Sequence, residues 1–159
     1  MSNVEKEKKN SILILDDEKS NIMALSHILS PMYTVYASRD GQDAIEIARD
    51  YSPDVVLLDV LMPGMDGYDV IEALKSSEAT RKIPVIFITG LSNDEDVKKG
   101  ISMGAADYIS KPFNPTIVEL RVQNQIKIVT LMRELLAIDL VEKSNRDENE
   151  FVSQMCVCQ

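Results

Sequence analysis

Five short apolar runs punctuate the first two-thirds of the chain: Ile12–Leu15, Tyr33–Ala37, Val55–Leu58, Val85–Ile88 and Tyr108–Ile109. The first, third and fourth are unbroken rather than alternating, which predicts parallel strands covered on both faces. Stretches of helical period lie between them. Residues 20–30 carry Ile22, Leu25, Ile28 and Leu29, residues 41–51 carry Ala44, Ile45, Ala48 and Tyr51, and residues 67–75 carry Tyr68, Val70, Ile71 and Leu74. Ser92-x-x-Glu95 reads as a capping box opening a helix to about Met103, with Gly104 placed to end it. Asn114-Pro115 supplies an N-cap and a first-turn proline for a last helix. A βα unit repeated five times predicts an α/β fold, a doubly wound five-stranded parallel sheet. Ligands of such sheets bind beyond the carboxyl ends of the strands.

The last helix outruns what the sheet needs. From Pro115 to about Lys143 there is no glycine and no further proline. Val118, Val122, Val129, Met132 and Leu136 follow heptad-like steps, broken by Gln125, and Ile128, Leu131, Leu135 and Ile138 form a second, adjacent stripe. This divides the chain into a flexible start (1–10), a domain (11–125) and an extended helix or linker with a frayed end (126–159). An apolar stripe this wide calls for a partner helix, most simply a homodimer through a short coiled coil. The plainer alternative is a solvent-facing linker helix.

Charge narrows the function classes. The 159 residues carry a formal net charge of -9, so phosphate backbones and anionic membrane surfaces are repelled. Direct nucleic-acid binding and membrane docking are not expected. No apolar run approaches the ~20 residues a membrane span requires. The start, MSNVEKEKKNS, has no apolar signal core, so the expected location is cytoplasmic. Cys156 and Cys158 lie at the extreme end, too late to staple the fold. As a C-x-C pair they could ligate a metal, but with no histidine nearby they read as two thiols on a frayed end. The single histidine, His27, falls in the first helix and reads as structural.

The chemistry collects at the strand ends. The first strand delivers Asp16 and Asp17, the third Asp59 and the fourth Thr89, while the fifth leads into Lys111-Pro112. Each has a plain reading by itself: a solvated acidic turn, a turn start before LMPGMDG, a strand-to-helix loop, a surface lysine. All of them meeting on one rim is the more informative pattern. Clustered carboxylates raise one another's pKa or recruit a cation, and hard oxygen donors favour Mg²⁺. Beside such an ion, Asp59 can act as a carboxylate nucleophile toward a phosphoryl group. Lys111 would neutralise phosphoryl charge, and Thr89 could donate a hydrogen bond.

The motifs ILILDDEKSN, DVVLLDVLMPGMDGYDVI, IPVIFITG and GAADYISKPFNP, in this order over about residues 10–125, resemble the receiver domain of response regulators. The resemblance implies a flavodoxin-like sheet of strand order 2-1-3-4-5 in a bacterial two-component phosphorelay. It implies that Asp59 is phosphorylated by a sensor histidine kinase or phosphotransfer protein. Mg²⁺ would be held by Asp17, Asp59 and the Leu61 carbonyl, with Asp16 acting mainly through water. Thr89 and Lys111 would bind phosphoryl oxygens, the Lys111–Pro112 peptide would be cis, and Tyr108 would be the aromatic that turns inward when Thr89 moves. Such a domain catalyses only its own phosphorylation and dephosphorylation and is not otherwise an enzyme. Fast members of the family place polar groups two residues after the acceptor and after the threonine. Here both positions are leucine, Leu61 and Leu91, which implies slow to moderate self-dephosphorylation.

The end, EKSNRDENEFVSQMCVCQ, resembles over about fifteen residues the start of a histidine-kinase dimerisation helix, without the phosphoacceptor histidine. Two rivals fit less well. An aspartyl-phosphate phosphatase calls for Asp-x-Asp after the first strand, where this chain has adjacent aspartates. A flavin-binding module needs a Ser/Thr/Gly-rich phosphate loop there, and the acidic pair would repel that phosphate.

Overall fold

The computed structural model describes residues 8–90 and 93–157. Five strands alternate with five helices: β1 (Ser11–Leu15), α1 (Lys19–Leu29), β2 (Thr34–Ser38), α2 (Gly41–Tyr51), β3 (Val55–Leu58), α3 (Gly67–Ser76), β4 (Val85–Thr89), α4 (Asp94–Ser102), β5 (Asp107–Ser110) and α5 (Pro115–Val157). All strand pairs are parallel, in the order β2-β1-β3-β4-β5. The doubly wound sheet of order 2-1-3-4-5 is therefore present, with the long C-terminal helix. The order reverses between β1 and β3, which sets a crevice at the carboxyl ends of those two central strands.

The unbroken apolar runs are the buried ones. Ile12–Leu15, Val55–Leu58 and Val85–Ile88 lie inside, and alternate residues of each strand feed two separate cores. On one face Ile12, Ile14, Val55, Leu57, Ile86 and Ile88 pack with Leu25 and Leu29 of α1 and with Val118 and Val122 of α5. On the other Leu13, Leu15, Val56, Leu58, Val85 and Phe87 pack with α2 and α3. Each such side chain contributes about 1.5–3 kcal/mol when fully buried. This rigid sheet is what holds the residues at its rim.

Helix starts follow local chemistry. Asp40 and Asn93 cap α2 and α4 by accepting from Asp43 N and Asp96 N. In α3, Asp66 and Asp69 form a reciprocal capping box. The α4 cap is thus Asn93 rather than Ser92, which lies outside the described residues. Both residue types cap well, so the pattern did not separate neighbours. Gly104 follows α4 with φ +102, the left-handed conformation that suits glycine.

Strand limits also move slightly: β2 runs Thr34–Ser38 rather than Tyr33–Ala37, and β5 spans Asp107–Ser110. α5 continues past Lys143 to Val157, so the expected frayed end is helical through that residue. Residues 144–157 hold no glycine or proline to stop it. The chain separates into two compact units, Met1–Ile126 and Lys127–Gln159. Among the described residues no helix is long and apolar enough to cross a membrane.

Candidate functional site

The carboxyl end of β1 leads directly into Asp16 and Asp17. Asp16 N donates to Ser38 O of β2, and the Asp16 carboxylate accepts from Glu18 N at 2.9 Å. These bonds turn Asp16 inward, where it is 2% exposed, while Asp17 is half-buried and Glu18 exposed. Glu18 occupies the N-cap position of α1, without a side-chain capping bond. Its carboxylate takes no part in the acidic cluster.

Asp59 follows β3 and is anchored from two sides. Its N–H donates to Leu15 O at 2.9 Å, and its Oδ1 accepts from Leu61 N at 3.3 Å. Gly67, at the start of α3, packs against its backbone. A Cβ there would lie 2.4 Å from Asp59 O, a contact only glycine avoids. Asp59 is 5% exposed.

Lys111 ties the two carboxylates together. Its Nζ donates to Asp16 Oδ2 at 2.9 Å and to Asp59 Oδ2 at 3.1 Å. It is carried there by β5, by its own N–H donating to Thr89 O, and by a chain that turns through a cis Lys111–Pro112 peptide. Thr89 ends β4 fully buried, paired in register with Ser110. Two register steps earlier on the same two strands, Phe87 faces Tyr108, with ring centroids 6.4 Å apart at 64°.

Burial raises the Asp59 pKa. The hydrogen bond and charge of Lys111 oppose that rise, Asp16 adds to it, and the Leu61 N–H works against it. The Lys111 ammonium is itself penalised by burial, but its bonds and charge pairing with Asp16 and Asp59 leave its pKa raised. It stays charged at neutral pH. Tyr108 is pushed up to about 12, first by burial and then by the charges of Tyr68, Asp96 and Asp59.

Carboxylate oxygens of Asp16, Asp17 and Asp59 lie within 4.8 Å of one another. Three hard anionic donors against one ammonium leave uncompensated negative charge, a set that fits a small hard divalent cation. The five polar side chains singled out at the strand ends, Asp16, Asp17, Asp59, Thr89 and Lys111, thus belong to one rim of the sheet, while Tyr108 lies within β5 opposite Phe87. Leu61 reaches the site through its N–H, and its side chain is exposed. Leu91 lies outside the described residues, as does Cys158. Cys156 is exposed on α5. His27 is exposed in the last turn of α1, not packed into the core.

Some contacts carried no sequence signal. Arg39, just after β2, donates from Nε to Asp17 O at 3.0 Å and so steadies the acidic turn. Lys99 of α4 sits 4.0 Å above the Tyr68 ring, and Tyr68 contacts Phe87 edge-on at 5.8 Å.

Residues 12–123 match the sequence model of the response regulator receiver domain. Among curated proteins, a Vibrio cholerae protein named "Probable cyclic di-GMP phosphodiesterase" is 44% identical over 117 residues, 74% of this chain and 26% of that protein. Response regulator PleD of Caulobacter vibrioides is 37% identical over 125 residues, 78% of this chain and 28% of PleD. The chain spans about a quarter of the length of these relatives. Among solved structures, the signal receiver domain of a DNA-binding response regulator from Colwellia psychrerythraea aligns with a TM-score of 0.70 at 33% identity, covering 75% of this chain and 99% of that one. The chemotaxis protein CheY4 of Vibrio cholerae aligns with a TM-score of 0.69 at 28% identity, covering 74% and 98%. Receiver domains in general hold Mg²⁺ in an acidic pocket and meet histidine kinases or phosphotransfer proteins. With its topology, its acidic rim and these matches in agreement, the chain belongs to the response regulator receiver domain family.

Proposed function

We propose that this chain is a Mg²⁺-dependent phosphoacceptor switch in which Asp59 takes a phosphoryl group from a sensor histidine kinase or phosphotransfer protein. The observation that carries the reading is the Lys111 ammonium bridging Asp16 and Asp59 beside a third carboxylate, Asp17. A carboxylate oxygen of Asp59 attacks phosphorus as the phosphorus–nitrogen bond of the donor phosphohistidine breaks, and the departing imidazole nitrogen takes up a proton. Asp16, Asp17, Asp59 and the Leu61 carbonyl are the groups to hold Mg²⁺, with Asp16 acting mainly through water. The ion supplies charge neutralisation at the phosphoryl oxygens.

Lys111 adds a second cation there, and the Thr89 hydroxyl donates to a phosphoryl oxygen. Tyr108 follows Thr89 inward, altering the surface formed by α4, β5 and α5. The chain acts on no substrate beyond its own phosphate. With leucine at positions 61 and 91, no side chain there orients water, so self-dephosphorylation is slow to moderate. Exposed Ile128, Leu131, Leu135 and Ile138 support the further reading that two copies associate through α5.

Incubation with acetyl phosphate and Mg²⁺, followed by intact mass measurement, tests the chemistry. A phosphoryl adduct is expected on the wild type and not on Asp59→Asn, decaying over minutes rather than seconds. A wild type that takes up no phosphoryl group overturns the reading.

A further inference from the structure

Three rings form a row across the sheet beneath α4. Tyr68 of α3 meets Phe87 of β4 edge-on, with centroids 5.8 Å apart at 66°, and Phe87 meets Tyr108 of β5 at 6.4 Å and 64°. Phe87 is fully buried. α4 presses on this row at adjacent residues. Gly100 lies so close that a Cβ there would stand 3.0 Å from Phe87 Cδ2 and Cε2, and Lys99 places its ammonium 4.0 Å over the Tyr68 ring. Asp96, one turn earlier, bears electrostatically on both Tyr68 and Tyr108.

We propose that Lys99 and Tyr68 are positioning residues for the switch: their contact clamps α4 to α3 and, through Phe87, holds Tyr108 in its half-buried place. The inference rests on the reading that Asp59 accepts a phosphoryl group and that Tyr108 then moves. Thr89 follows Phe87 by two residues on β4, so both project to one face of the strand. A Tyr108 that turns toward Thr89 must leave Phe87. The ring it leaves is fixed by Gly100 on one side and by the clamped Tyr68 on another. The clamp therefore favours the arrangement that precedes the turn. A ligand that needs the turned arrangement binds with an affinity reduced by that bias.

The test is the affinity of the full chain for beryllium fluoride with Mg²⁺, measured by titration calorimetry. Loss of one cation–π contact should raise apparent affinity about two- to fivefold in Lys99→Met. Lys99→Arg, which keeps a cation over the ring, should stay at the wild-type value. Tyr68→Leu should behave as Lys99→Met does, and the double variant should gain little more, because both remove the same contact. A merely structural role would shift denaturant midpoints without this rescue and non-additivity. Lys99→Met at or below wild-type affinity, or fully additive effects, overturns the clamp alone. A wild type that binds no beryllium fluoride overturns the phosphoacceptor reading, and the clamp falls with it.

Discussion

Asp59 and Tyr108 are both pushed toward their neutral forms by burial, but they answer to different neighbours. For Asp59 the penalty is opposed by Lys111, whose ammonium bonds both Asp59 and Asp16, so the acceptor keeps a cation at hand. Removing that lysine would leave two buried carboxylates facing each other, the costly half of a broken pair. For Tyr108 the charges of Tyr68, Asp96 and Asp59 add to the penalty of burial instead of opposing it. Its pKa of about 12 when folded stands above the ordinary value of 10.0. Below pH 10 the phenol is protonated in both folded and unfolded chains, and its contribution to stability is fully present. Between pH 10 and 12 the unfolded chain releases the proton first, so stability falls as pH rises through that window. Urea midpoints measured from pH 9 to 12 should therefore decline less steeply in Tyr108→Phe than in the wild type. Tyr33 and Tyr68, also raised, act in the same direction in both proteins and leave the difference intact. Equal slopes would show that Tyr108 is solvated like a free phenol.

At the scale of elements, each strand end hands a different group to the rim, and the helices differ in what they ask of their partners. α1 to α3 each bury one face. The later part of α5 buries none: Ile128, Leu131, Leu135 and Ile138 are all exposed, as are Met132 and Leu136. Isolated helices draw little stability from propensity alone, so a helix of this composition gains most by pairing. The steps 128, 131, 135 and 138 alternate three and four, the spacing of a coiled-coil seam. A charge at two successive seam positions would place unpaired carboxylates in the contact. The double variant Leu131→Glu/Leu135→Glu should run as a monomer in sedimentation at concentrations where the wild type is dimeric. Both should take up phosphate equally, since neither substitution lies in the unit that holds Asp59. A wild type that remains monomeric across the micromolar range would leave α5 as a solvent-facing linker.

For the whole molecule, the sheet was legible because its central strands are buried on both faces and so read as unbroken apolar runs. The rim was legible because a parallel sheet delivers the residue after each strand to one edge, whatever its distance in sequence. Arg39 and the Lys99–Tyr68 contact were not, since a lysine over a ring or a guanidinium on a distant carbonyl leaves no periodic trace. The full length of α5 was less legible, since residues 144–157 continue the helix with mainly polar residues and no regular apolar stripe. The division at Ile126 carries a further consequence. Val118 and Val122 complete the core of the first unit, Gln125 is the last buried residue, and beyond Ile126 only Val129 is even half-buried among the described residues. A chain ending at Ile126 should thus keep its core, unfold in one cooperative step and still form the adduct on Asp59. On the proposed pairing through α5, full-length chains would gain stability with concentration by mass action, so their thermal midpoint should climb as protein is added. The shortened chain should show no such climb, and at high dilution the two midpoints should converge to within the equivalent of about 1 kcal/mol. A shortened chain that unfolds far earlier even at high dilution would mean that residues past 126 support the receiver fold directly.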